Sequence, residues 1–361
     1  MAEKENKRVL LLIDQLGSGG AERQLCCLAG CLHGAGYDVR LCRFYPGGVH
    51  YAADLEAAGV EPEVFESARR AWRRPFAIAS LVRKWKPKAV IAFLDGTAMG
   101  ACLARMLTPF NLLVSERNTT QNLSRRERAK FWLYRRADAV VCNSHSQLRF
   151  VNERFPELNS KAVAITNALD TERFSPAAHP PKLNRPRVLT TARITPQKNV
   201  LTYLRALAIL KAEGVDAHFE WFGTPSDENY LNQVLALKKE LGLDSYITFH
   251  VGGTRDVISE YRKSSHFILP SLYEGFPNVL CEAMSCGLVC TASAVSDSPD
   301  ILSDKRFLFD PTKPEAIASA IKTMLALSPK ETAAAAAANR DAVKRMCSLE
   351  SFTKAYINLI D

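Results

Sequence analysis

Two carboxylates in one short segment carry the clearest chemistry of the chain. Glu274 and Glu282 lie within Ser271-Leu272-Tyr273-Glu274-Gly275-Phe276-Pro277-Asn278-Val279-Leu280-Cys281-Glu282-Ala283-Met284. Pro277 suits the first turn of a helix, and Gly275 leaves the space in front of it open. The amides of residues 278–280 are then expected to point at whatever fills the loop. A loop acid beside a helix N-terminus is favoured by the helix dipole, which accounts for Glu274. It does not account for Glu282, which falls inside an otherwise apolar helix where an isolated charge is costly. Such a carboxylate needs a partner, and the vicinal hydroxyls of a polyhydroxyl ligand are donors of the right kind.

Two cations offer a complementary chemistry. The stretch Val188-Leu189-Thr190-Thr191-Ala192-Arg193-Ile194-Thr195-Pro196-Gln197-Lys198-Asn199 reads as a strand, then Arg193, a proline turn, and Lys198 at a helix start. Cations at the carboxyl end of a parallel strand lie where open α/β sheets bind ligands, and together they can neutralise a diphosphate. Near the start of the chain, Asp14-Gln15-Leu16-Gly17-Ser18-Gly19-Gly20-Ala21-Glu22 puts glycines between a strand and a helix. Backbone amides there can approach an anion. A dinucleotide site would want a third glycine at Glu22 and an acid ending the second strand, where Arg43, Phe44 and Tyr45 stand. NAD is therefore a poor fit.

The elements that must position these residues alternate along the chain. Strands are expected at residues 9–13, 38–44, 89–93, 112–115, 139–142 and 163–165, separated by amphipathic helices such as 21–34. A proline-rich passage with Pro176, Pro180, Pro181 and Pro186 marks a linker. Alternation resumes with strands at 188–191, 218–222, 247–250, 267–269 and 288–291 and helices at 201–213, 229–241, 277–286 and 314–327. The tail from about Lys330 is expected to be helical throughout, the alanine run at 333–338 being a strong helix former. The fold class is α/β, two doubly wound parallel-sheet domains over residues 1–175 and 186–348, with the site expected in the cleft between them.

Composition narrows the function further. Hydrophobic residues at 47% and charged residues at 24% exclude disorder and fibrous repeats. Neither a membrane span nor a secretory leader is apparent, so the chain is expected in the cytoplasm. Ten cysteines without a Cys-x-x-Cys pair read as reduced, buried thiols. The net charge of +9 is concentrated in the first half. Arg69, Arg70, Arg73 and Arg74 surround Trp72, and Arg125, Arg126, Arg128, Lys130, Arg135 and Arg136 surround the stretch 131–134. Basic residues interleaved with aromatics suit an anionic membrane surface, or nucleic acid, or a solvated face beside a core stripe.

Together, the Glu274-x7-Glu282 spacing, the Arg193/Lys198 pair and the Gly-Gly-Ala-Glu turn resemble a retaining GT-B glycosyltransferase of family 4, of the type that builds bacterial surface polysaccharides and lipid-linked glycans. The resemblance implies two Rossmann-like domains, the first binding the acceptor and the second the nucleotide sugar, with a final helix at 349–361 crossing back to the first. It implies that Arg193 and Lys198 hold the diphosphate, Glu282 the ribose hydroxyls and Glu274 the transferred sugar, making Glu274, Arg193 and Lys198 the catalytic set. Gly19, Gly20, Gly275, Phe276, Asn278 and Val279 would approach the phosphates and sugar, and the loop containing Thr254 the base. No metal or other cofactor is implied, the donor being a UDP-sugar or, less in keeping with the family, a GDP-sugar. The acceptor would be a lipid-linked or polysaccharide hydroxyl, met by the enzyme at the inner face of the plasma membrane.

Some positions depart from the family pattern. Where many relatives place a histidine, the sequence reads Ser115-Glu116-Arg117-Asn118-Thr119, leaving Arg117 or Asn118 to contact the acceptor side. Ser296-Asp297-Ser298-Pro299-Asp300 replaces a usual Gly-Gly-x-x-Glu. Rival functions are a nucleotide-sugar epimerase or hydrolase on the same fold and a nucleic-acid-binding protein. The latter leaves Glu282 and the two cations unexplained, so no nucleic-acid partner is expected.

Overall fold

The computed structural model describes residues 6–17, 19–117, 123–178, 183–254, 256–302 and 304–361. They form two compact units, one of residues up to Ala168 together with Leu349–Asp361, the other Leu169–Ser348.

In the first unit the chain runs β1 (Arg8–Ile13), α1 (Gly20–Gly34), β2 (Asp38–Arg43), α2 (Ala52–Ala57), β3 (Pro62–Val64), α3 (Arg74–Trp85), β4 (Ala89–Phe93), α4 (Asp95–Arg105), β5 (Leu112–Glu116), α5 (Arg125–Tyr134), β6 (Ala139–Cys142), α6 (His145–Arg154) and β7 (Ala162–Ala164). The sheet order is β3-β2-β1-β4-β5-β6-β7, every pairing parallel. Strands this apolar must be covered on both faces. Leu10, Leu12, Val90 and Val114 pack under α3, α4 and α5. Val9, Leu11 and Ile91 pack under α1 and the closing helix Leu349–Ile360, whose Phe352, Tyr356 and Ile360 are spaced four apart on one stripe. Each of those burials contributes about 1.5–3 kcal/mol.

The second unit repeats the plan with β8 (Arg187–Thr191), α7 (Val200–Ala212), β9 (His218–Gly223), α8 (Glu228–Glu240), β10 (Ile247–Val251), α9 (Val257–Arg262), β11 (His266–Leu269), α10 (Asn278–Ser285), β12 (Val289–Ser293), α11 (Ser298–Ile301), β13 (Leu308–Phe309), α12 (Pro314–Leu325) and α13 (Pro329–Met346). Its order is β10-β9-β8-β11-β12-β13, again all parallel. In both sheets the first strand is central and the chain reverses direction of travel beside it, which makes a topological switch point.

Three sequence expectations change. The unit boundary falls at residues 168–169 and not in the proline passage. Leu169 and Phe174 are buried with Leu280 and Met284 in the second unit's core, and Arg262 Nε donates to the Ser175 carbonyl at 2.9 Å. Two apolar residues so far apart leave no periodic signal. The edge strands β3 and β13 are too short to show alternation, and β3 begins with a proline. The helical tail is interrupted at Cys347 and Ser348, so the alanine-rich α13 stays with the second unit while the closing helix belongs to the first.

All ten cysteines are free thiols, eight of them buried. Burial pushes several up to about 12, as at Cys26, Cys42 and Cys102, so these stay protonated.

Candidate active site

The second sheet's switch point lies between β8 and β11, and the loops leaving these strands carry the residues singled out by type. After β8 the backbone passes under β9, where Gly223 is required. A Cβ there would stand 1.8 Å from the Ala192 carbonyl oxygen, and Trp221 Nε1 donates to the same carbonyl at 2.8 Å. Ile194 then pairs with Thr224 and Pro225, which fixes the direction in which Arg193 leaves the sheet. Arg193 is exposed and has no hydrogen bond or ion pair among the described residues. It is a fixed backbone position carrying an uncommitted guanidinium.

Lys198 is committed. Its Nζ lies 2.5 Å from Glu274 Oε1, and both side chains are largely buried. Ser271 Oγ donates to the same oxygen at 2.6 Å. The two loops are also stitched together through backbone. Leu272 N–H donates to the Gln197 carbonyl at 2.9 Å, and Gln197 Nε2 returns a bond to the Tyr273 carbonyl at 2.9 Å. Ser296 holds Glu274 from the other side, accepting from its N–H at 3.0 Å and donating to its carbonyl at 2.7 Å. Ser296 does so with φ of +52°, a conformation uncommon outside glycine.

Glu282 is 3% exposed, five residues into α10. Its partner is within the chain: Tyr261 Oη donates to Glu282 Oε2 at 3.0 Å and in turn accepts from Thr191 Oγ1 at 2.7 Å. Burial, and next the Glu282 charge, push the Tyr261 phenol well above its ordinary range. The relay Thr191–Tyr261–Glu282 therefore runs from the end of β8 to α10, holding a carboxylate in place within an apolar helix. The sequence demanded a partner for Glu282 but could not name Tyr261, which lies on the short helix α9 before β11.

Of the amides at the start of α10, Asn278 donates to the Phe276 carbonyl at 2.9 Å and Leu280 to that of Pro277 at 3.0 Å. Among the described residues the Val279 amide stays out of these turns. Pro277 precedes the helix as its cap residue and is not its first turn. Phe276 is buried and Gly275 partly so. Thr254 is exposed in the loop after β10, where Gly252 and Gly253 take φ of +102° and +79°. Its hydroxyl accepts from the Asp256 N–H at 3.1 Å.

The first unit's counterpart is the region after β1 and β4. Gly19 and Gly20 begin α1 there, and a Cβ on Gly19 would come within 2.1 Å of Glu22 Oε2. Glu22 thus folds its own carboxylate over the helix N-terminus that the sequence reading reserved for an anion. Arg117 is buried, donating to Ser115 Oγ at 2.7 Å, Asn167 Oδ1 at 2.6 Å and Tyr356 Oη at 2.8 Å, with its guanidinium over the Phe93 ring. It ties β5 to the closing helix. Asn118 lies outside the described residues.

Two members of the basic clusters are also interior. Arg74 pairs with Asp14 at 2.9 Å and donates to Tyr45 Oη at 2.8 Å. Lys130 is 1% exposed and contacts Glu127 at 2.7 Å, Glu116 at 2.9 Å and Asp95 at 3.4 Å. Burial alone would lower the Lys130 ammonium, but these carboxylates raise it. Among the described residues no three His, Cys, Asp or Glu side chains gather as metal ligands do.

The chain matches two families in succession, "Glycosyltransferase Family 4" over residues 18–173 and "Glycosyl transferases group 1" over residues 171–341. It is a family 4 glycosyltransferase. Among its relatives is the Campylobacter jejuni GalNAc-α-(1→4)-GalNAc-α-(1→3)-diNAcBac-PP-undecaprenol α-1,4-N-acetyl-D-galactosaminyltransferase, 25% identical over 82% of each chain. The amylovoran biosynthesis glycosyltransferase AmsD of Erwinia amylovora is 24% identical over 88% of this glycosyltransferase and 90% of its own length. In fold it resembles a glycosyltransferase from Rickettsia africae, with a TM-score of 0.86 at 20% identity over 98% of both chains. Anabaena HepE, solved in complex with UDP-glucose, gives a TM-score of 0.81 at 18% identity over 97% of this chain and 98% of its own. These neighbours have the GT-B fold, and the two parallel-sheet Rossmann-like units described above are that architecture.

Proposed function

We propose that this glycosyltransferase transfers a sugar, with retention and without a metal, from a UDP-sugar to a hydroxyl of a lipid-linked or polysaccharide acceptor in cell-surface glycan synthesis. The observation that carries the reading is the loop pair at the second switch point, where the segment leaving β8 carries exposed Arg193 and, five residues on, Lys198 already locked to Glu274. A diphosphate placed there meets one free guanidinium and one ammonium, and charge developing on the leaving phosphate is stabilised by both cations, of which Lys198 is already held in place by Glu274. The sequence contains no Asp-x-Asp metal clamp, and these two cations supply the compensating charge instead.

In this scheme the acceptor hydroxyl attacks the anomeric carbon from the face the diphosphate leaves, the C–O bond to the leaving phosphate breaks with its electron pair, and a phosphate oxygen takes the acceptor proton. Glu274, held by Ser271, Lys198 and Ser296, positions the sugar; Glu282, held by Tyr261, accepts from ribose hydroxyls. Arg193, Lys198 and the Val279 amide face the phosphates, and the loop with Thr254 faces the base. The choice of uridine is supported by Anabaena HepE, solved with UDP-glucose. The acceptor class is supported by the Campylobacter jejuni relative, named for an undecaprenol-linked substrate, and by AmsD, named for amylovoran.

Thermal unfolding in EDTA with UDP, GDP and ADP tests the donor. UDP at about 100 times its dissociation constant adds ~2.7 kcal/mol to the native state, a rise of a few degrees in Tm that Arg193→Ala abolishes. No shift with any nucleotide overturns the reading. Proton NMR of the first product from a matched UDP-sugar then tests retention, and an inverted anomer overturns that part alone.

A further inference from the structure

The α3, α4 and α5 helices cover one face of the first sheet, burying Ile78, Ala101 and Phe131 against the same strands. Their outer surfaces therefore share one side of the unit. Among the described residues, six of the eleven exposed large apolar side chains of the protein lie on this side: Trp72 (63% exposed) and Phe76 (61%) at the start of α3, Leu103, Met106 (61%) and Leu107 at the end of α4, and Trp132 (51%) on α5. None lies on α1, α2 or the closing helix, which cover the other face. A soluble surface has no use for two tryptophans, a phenylalanine and a methionine more than half exposed on three adjacent helices.

The charge around them is as one-sided. From Ser67 to Ser115 the sequence has nine Lys and Arg and a single acid, Asp95, which faces inward to Lys130. Arg73 lies over the Trp72 ring at 4.8 Å and Arg136 over the Trp132 ring at 4.6 Å. Arg125, Arg126, Arg128 and Arg135 form the remaining exposed side of α5. The ends of the three helices are joined through arginines: Arg83 donates to the Leu107 carbonyl at 2.5 Å, and Arg105 donates to the Arg136 carbonyl and to Asp138 Oδ1, the latter at 2.7 Å. The apolar tips thus sit on a cross-linked helical layer that also carries these arginines.

We infer that this face docks on an anionic lipid bilayer, with Trp72, Phe76, Met106 and Trp132 entering the headgroup boundary and the surrounding arginines pairing with lipid phosphates. Exposed apolar tips interspersed with arginines match an interface that is apolar below and negative above. Nucleic acid would satisfy the arginines but give Phe76, Met106 and Leu107 nothing to bury against. The inference extends the proposal that the acceptor is lipid-linked, and it corrects the sequence reading by removing Arg74 and Lys130 from the surface.

The test is co-sedimentation of the full chain with vesicles of phosphatidylcholine alone, or with one part phosphatidylglycerol to three of phosphatidylcholine, in parallel with UDP binding. The protein is expected to bind the anionic vesicles and not the neutral ones. Replacing Trp72→Ala, Phe76→Ala and Trp132→Ala together is expected to weaken binding by roughly tenfold or more. The triple variant's Tm and UDP affinity should not change, because all three side chains point away from both cores. Vesicle binding equal to wild type in the triple variant, wild-type binding no stronger to anionic than to neutral vesicles, or preferential binding of duplex DNA each overturns the inference. If vesicle binding fails while UDP still binds, only the docking face is wrong. If vesicles bind and no nucleotide does, the donor reading is wrong.

Discussion

The two sheets share one strand order around their switch points, yet those points have opposite electrostatics. In the first unit these charged groups are answered from within: Arg74 by Asp14 and Tyr45, Lys130 by three carboxylates, Arg117 by Ser115, Asn167 and Tyr356, and the α1 N-terminus by Glu22. In the second unit Lys198 and Glu274 are paired while Arg193 stays exposed and, among the described residues, unanswered. Identical topology offers a ligand the same two places, and charge accounting separates them. The open cation marks where a diphosphate gains most.

Four predictions bear on that contrast. Lys130→Met removes the cation that compensates Glu116, which is 0% exposed, and should destabilise the fold by ~3–5 kcal/mol in urea unfolding. Unchanged stability would mean that the closed character of the first unit is incidental. Arg193→Ala should lower kcat by about 10²–10³ with Tm unaltered, since the exposed side chain makes no hydrogen bond or ion pair among the described residues. A comparable loss of Tm would show Arg193 to be structural, and the contrast would disappear.

His266, the only buried histidine among the described residues, is held neutral by burial, with its pKa lowered from 6.5 to about 4. Between those values the unfolded chain binds a proton that the native chain refuses, so stability present above pH 6.5 is lost as pH falls toward 4. The loss is at most ~3 kcal/mol. His266→Phe should flatten that slope in unfolding measured from pH 7 to pH 4. The smallest effect is expected at Ser296→Ala, which removes both hydrogen bonds to the Glu274 backbone. About 1 kcal/mol of positioning corresponds to roughly fivefold in kcat/KM. A loss confined to KM would assign Ser296 to binding alone.

Much of this architecture was legible in the sequence because parallel strands buried on both faces are continuous apolar runs and their helices carry a strong amphipathic period. Eleven of the thirteen strands described and the main helices follow from those two signals. Glu274, Glu282, Arg193 and Lys198 were legible for another reason: their types stand out against the turn or apolar helix that carries them. Gly223, Tyr261 and Ser296 had no such local signal. Their importance lies in atoms that are distant along the chain, the Ala192 carbonyl for Gly223 and the Glu274 backbone for Ser296.

The basic clusters show the division plainly. Spacing of arginines and aromatics determined that the first half of the chain is cationic and amphipathic, because composition and period are properties of the letters. Only the tertiary structure decided which charges reach water. Lys130 and Arg74 look like their neighbours in sequence, but they turn toward carboxylates from other strands and helices, since a charge leaving water must find its opposite nearby. Burial and pairing depend on what the fold brings alongside, and that information is not local to any segment.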